Sequence, residues 1–159
     1  METMSPLRSI LRLNTRLFEN CLAGMEDAQV ARRGEGGTNS MAFIALHAAD
    51  ARYYLLGLLG GALENPFARF ASARSQEDIA GLPGCAELRS AWRAVFAALD
   101  QRFAELGDEE WSRPSAASLP VEDATVAGAT AFLLQHESYH IGQLALLRRQ
   151  AGCAAMRYD

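Results

Sequence analysis

The stretch His136-Glu137-Ser138-Tyr139-His140-Ile141-Gly142-Gln143-Leu144 decides how this chain is read. It lies in a run from about Glu122 to Gln150, ended by Gly152, whose apolar residues recur at helical spacing. Two histidines four apart on a helix point nearly the same way, because four residues turn about 400°, a net of about 40°. On an ideal wheel with Val126 at zero, Leu133, Leu144 and Leu147 fall at about 340°, 0° and 300°. His136 and His140 fall at about 280° and 320°, so both are expected on the core-facing stripe.

The chain has three histidines in all, and the third, His47, stands in Phe43-Ile44-Ala45-Leu46-His47-Ala48. A second helix is expected from near Ser40, after the capping candidates Thr38 and Asn39, to about Leu59 before Gly60-Gly61. With Ile44 at zero, His47 lies at about 300°, between Tyr54 at about 280° and Leu58 at about 320°, and is likewise expected inward. A lone inward histidine is usually a hydrogen-bonded core residue. A buried imidazole without a partner costs on the order of 1–3 kcal/mol, and three in one small core are best explained by something that binds them together. Three imidazoles from two helices make a metal site with a position left for water or substrate.

Two further helices complete the pattern. One runs from Pro6, after Ser5 as its cap, to Arg33, with Leu7, Ile10, Leu11, Asn14, Leu17, Phe18, Cys21, Leu22 and Met25 on one face. Another spans roughly Ala86 to Leu106, with Leu88, Trp92, Val95, Phe96, Leu99, Phe103 and Leu106 as its stripe. No stretch alternates as a strand. The short Gly-rich link between the first two helices predicts antiparallel neighbours. The Gly60–Gly84 link is long enough to cross the bundle, so the second and third helices should run parallel, with an extra helical turn around Asn65 to Ala73. Asp108 to Pro120 is a polar connection. The fold expected is all-α, a four-helix bundle with one long crossover, forming a single domain over residues 1–159.

Composition narrows the function. A formal charge of −4 argues against a nucleic-acid partner, and all fifteen cations are arginine, which excludes Schiff-base chemistry on lysine. Arg32-Arg33 and Arg148-Arg149 sit where cations complement helix C-termini. Cys21, Cys85 and Cys153 are odd in number and widely spaced, as expected of reduced thiols in a cytoplasmic protein. No signal peptide is expected from the first residues, and His47, Asp50 and Arg52 interrupt the most apolar stretch, Met41 to Leu63, so no membrane span is expected.

His136-Glu137-Ser138-Tyr139-His140 also fits the HExxH pattern of zinc peptidases, in which the glutamate is the general base. That class needs a third ligand downstream, and residues 141–158 contain no histidine, glutamate or aspartate. Glu137-x-x-His140 fits half of a di-iron site, but His47 has Ile44 three residues before it, so the matching pair is missing. What remains is a mononuclear three-histidine site.

The segments Asn39 to Asp50, with its single histidine, and His136 to Leu144, with its HxxxHxGQ pattern, resemble the two signatures of the DinB-like (YfiT-like) superfamily. The resemblance covers nearly the whole chain. It implies a bundle with the crossover between the second and third helices, with His47, His136 and His140 as ligands of one divalent metal ion. Zinc and nickel come first among the candidates, and iron next, since imidazole suits all of them. Relatives with known activity are often transferases or isomerases that use bacillithiol, mycothiol or glutathione. Dimerisation is common among them, so a homodimer is also in view.

The resulting expectation is a metal-dependent transferase or hydrolase in which the ion activates a low-molecular-weight thiol or water against a small electrophilic substrate. Glu137 borders the stripe and is a candidate general base or outer acceptor, or else a surface carboxylate. Gln143 either orients a ligand or packs. Tyr54 either closes a wall of the pocket or packs in the core. The alternative function is a non-catalytic metal-binding or stress-response binding module, which a fourth protein ligand would favour.

Overall fold

The described residues of the computed structural model, 6–159, form the α-helices α1 (Pro6–Leu22), α2 (Asp27–Ala31), α3 (Met41–Leu58), α4 (Cys85–Glu105), α5 (Asp108–Ser112) and α6 (Val126–Gln150). No strand occurs among them, only an isolated bridge between Pro114 and Thr125. The all-α expectation holds, and the Ser5 cap lies outside the described residues.

Side-chain caps set where the histidine-bearing helices begin. Ser40, extended in backbone, accepts the Phe43 amide at 3.2 Å and starts α3. Thr125 does the same for α6 by accepting the Gly128 amide at 3.2 Å. Gly128 must be glycine, because a Cβ there would sit 2.0 Å from the Asp123 carbonyl oxygen. Asn39, read as a capping candidate, instead accepts the Gln76 amide at 3.1 Å and ties the crossover to the start of α3.

The first helix stops at Leu22 rather than Arg33. Gly24 turns the chain with φ +69, a left-handed conformation that glycine adopts at little cost, and α2 restarts at Asp27. The link to α3 is therefore long enough to cross the end of the molecule. Packing of the four long helices closes a ring in the order α1, α6, α3, α4, so α1 and α3 stand diagonally instead of side by side. Cross-helix hydrogen bonds give the directions. Tyr53 with Ala91 and Leu59 with Arg102 run α3 parallel to α4, as the long crossover requires. Asn14 with Leu134 and Cys21 with Ile141 run α1 parallel to α6, whereas Arg8 with Asp100 and Trp92 with Thr15 run α1 against α4.

The crossover carries a 3-10 turn at Ala68–Phe70, within the expected window, and seats Phe67 and Phe70 in the core. The connection after α4, read as merely polar, opens with the one-turn α5. No helix among the described residues is long and apolar enough to cross a membrane.

Candidate metal centre

α3 lies between α4 and α6, and Ala42, Ala45, Ala48 and Ala49 on it are fully buried. Its residues left partly or fully exposed, His47, Asp50, Ala51, Tyr54, Gly57 and Leu58, follow helical spacing and form a strip along the margin of the bundle. On α6 the buried line is Val126, Thr130, Leu133, Leu134, Glu137, Ile141 and Leu144, with His136, His140 and Gln143 half-buried beside it. The three histidines therefore meet at the edge of the α3–α6 seam, next to the core and not inside it.

There the rings converge through their Nε2 atoms. His136 Nε2 stands 3.3 Å from His47 Nε2 and 3.0 Å from His140 Nε2, and one ligand atom from each residue falls within 4.8 Å of the others. Donors around a tetrahedral ion with bonds of about 2.0–2.1 Å stand about 3.3 Å apart, so this donor set fits such an ion. Neutral rings meet there either through an Nε2–H of one tautomer or as lone pairs aimed at a shared cation. The Nδ1 of His140 lies 2.7 Å from Gln143 Oε1, so Nδ1–H donates to that carbonyl and Nε2 keeps its lone pair. His136 Nδ1 is buried without a partner.

Electrostatics favour the ligand form. Burial first, then the facing His140 and His47, pushes His136 down to about 4. His47 is lowered by burial and then by His140, and His140 is lowered by burial although its bond to Gln143 works the other way. Near neutral pH the imidazoles are therefore unprotonated, as metal binding requires.

Glu137, read as a candidate general base or outer acceptor, is turned into the core and lines no part of the cleft beside the histidines. It is fully buried and forms a bidentate pair with the equally buried Arg52 of α3, with Arg52 Nη2 donating to Oε1 at 2.8 Å and Nε to Oε2. Both carboxylate oxygens are taken, and the surface alternative fails too. Tyr54 is 50 % exposed and lines no part of the cleft beside the histidines, so neither reading of it holds; its neighbour Tyr53 is the buried one.

That cleft has a volume of about 690 Å³ and reaches His47 and His140. Phe43, Ile44, Leu146 and Leu147 give it apolar walls, while Arg74, Glu35 and Gln150 bring polar groups. Among the described residues no fourth histidine, cysteine, aspartate or glutamate joins the three histidines.

A family model described as the DinB superfamily matches residues 10–144. The chain belongs to the DinB superfamily. A solved structure described as a conserved protein from Enterococcus faecalis is similar in fold, with a TM-score of 0.70 at 16 % identity, covering 95 % of this chain and 98 % of that one. No curated protein matches. In this DinB superfamily member, Gln143 is held at both ends: it accepts from His140, and its Nε2 donates to the Tyr139 hydroxyl at 3.5 Å. The role of Tyr139, and that of Arg52, went unread in the sequence. Arg52 did carry a signal, as a lone cation within the most apolar stretch of the chain.

Proposed function

We propose that this DinB superfamily member is a metal-dependent transferase or hydrolase, acting on a small electrophile with an apolar body. The observation that carries it is the convergence of three Nε2 atoms at 3.0–3.3 Å beside an open cleft, without a fourth protein ligand among the described residues. A site built only to hold an ion would close its coordination with protein; this one faces a cavity large enough for a substrate. The ion, when bound, supplies positive charge that lowers the pKa of a thiol or water at its open position.

The chain's own residues provide the setting. Gln143 fixes the His140 ring, and the unprotonated histidines keep their lone pairs directed at one point. Phe43, Ile44 and Leu147 shed water from an apolar substrate body, and Arg74 offers a cation to an anionic substituent. In the reaction, the thiol sulfur or water oxygen bonds to the electrophilic carbon and its proton passes to solvent. The leaving group departs with the electron pair of the bond that breaks. Glu137 takes no part, since its oxygens are occupied.

The test is metal content by plasma mass spectrometry on tag-free protein, beside His47→Ala, followed by a panel of thiols with a chromogenic aryl halide. Near-stoichiometric metal lost in the variant, with metal-dependent turnover, supports the reading. A folded, metal-free protein that zinc, nickel and iron fail to reconstitute would overturn it.

A further inference from the structure

The pair Arg52–Glu137 lies outside the chemistry proposed above, yet four hydrogen bonds converge on its buried guanidinium. Arg52 of α3 and Glu137 of α6 have side chains 1 % and 3 % exposed. Besides its two bonds to Glu137, Arg52 donates through Nη1 to Thr15 Oγ1 at 2.9 Å and through Nη2 to the Leu11 carbonyl at 3.3 Å, both on α1. Its guanidinium lies 3.5 Å over the Trp92 ring of α4. One side chain thus touches all the other long helices. Such a buried pair is weak evidence of stability, because desolvation offsets much of its attraction and an apolar pair of equal volume often serves as well. A bidentate fork does fix geometry, since its two parallel bonds form in one relative placement only.

We infer that Arg52 and Glu137 are positioning residues for the histidine centre, holding α3 and α6 in the one register that brings His47 to His136 and His140. This rests on the metal-site reading. Glu137 directly follows His136 and precedes His140 by about one turn, and Arg52 follows His47 by about a turn and a half. Pin and ligands therefore belong to the same short section of the seam. A slip of one residue moves a helix about 1.5 Å along its axis and turns it about 100°. Metal–ligand bonds tolerate deviations of only about 0.2 Å. Apolar side chains at the two positions would fill the volume without specifying that register to the same tolerance.

The experiment measures Zn²⁺ affinity by chelator competition, and the visible absorption of the Co²⁺-loaded protein, for wild type, the double variant Arg52→Met/Glu137→Leu and Glu137→Gln. Helicity and melting are followed in parallel. Positioning predicts a folded double variant whose Zn²⁺ affinity falls about tenfold to a hundredfold, with an altered Co²⁺ spectrum, and a smaller loss in Glu137→Gln, which keeps shape and one acceptor. A folded double variant with wild-type affinity and spectrum overturns the inference. Should the double variant not fold, Glu137→Gln decides by the same readouts, unchanged affinity and spectrum counting against positioning. Wild-type protein that binds neither ion removes the metal reading itself, and this inference with it.

Discussion

In the metal-free chain, His136 is pushed from the usual 6.5 to about 4, by burial first and then by His140 and His47. Between those values the unfolded chain binds the proton and the folded chain does not, so stability rises with pH across that window. The contribution is full above about 6.5 and is lost as pH falls toward 4. Asp100, held below the ordinary carboxylate range by Arg12 and Arg8, loses its contribution only in stronger acid, so the two effects separate. Urea midpoints of metal-free protein are expected to fall from pH 7 to pH 5, with a flatter profile in His136→Phe. Gln143 makes a second expectation: Gln143→Leu frees the His140 ring and should weaken Zn²⁺ binding about tenfold, while Gln143→Glu, which keeps an acceptor, should lose less. Competition titration checks both. Spacing alone made His136 and His140 legible, because i,i+4 residues share a helix face whatever the helix packs against. Which face is innermost depends on neighbours, and so Glu137 and the histidines exchanged places: the carboxylate is central and the imidazoles marginal.

At the level of single helices, the caps make their own predictions. Ser40→Ala and Thr125→Ala each remove a side-chain acceptor from a helix N-terminus and should each cost about 1 kcal/mol, measured by urea unfolding. Gly128→Ala should cost more than either, since its new methyl meets a backbone oxygen that no rotamer change can move. Helix existence was legible from apolar periodicity, and α4 begins and ends within a residue of the expected bounds. The start of α6 was not: Thr125 caps it, and the preceding residues bond instead to the segment after α5, through Ser115 with Ala124. α3 defeated the wheel differently. Enclosed by α4 and α6, it buries residues almost all round, so its apolar pattern carries little direction and only its narrow exposed strip marks orientation.

Across the whole molecule, the buried pair and the ligand site act on one equilibrium. Glu137→Leu alone strands a buried guanidinium and should cost about 3–5 kcal/mol, whereas the double variant with Arg52→Met should recover most of that loss. Zinc at one hundred times its Kd should raise unfolding free energy by about 2.7 kcal/mol, and His47→Ala should abolish that gain. Thermal melts with and without the ion read both. The parallel α3–α4 arrangement was legible because a link as long as residues 60–84 permits it and a tight turn does not. The diagonal placement of α1 and α3 was hidden, because Gly24 breaks a run whose apolar face otherwise continues to Met25.

His47 and His136 are 89 residues apart in the chain yet adjoin in space. An ion between them would be a cross-link that a chelator can cut, closing a loop that includes the crossover, α4 and α5. Unlike a disulfide, it would be made only in the folded chain, with a yield set by metal supply instead of redox potential. A limited digest should register this as a band pattern that changes on adding chelator, without any change in covalent structure.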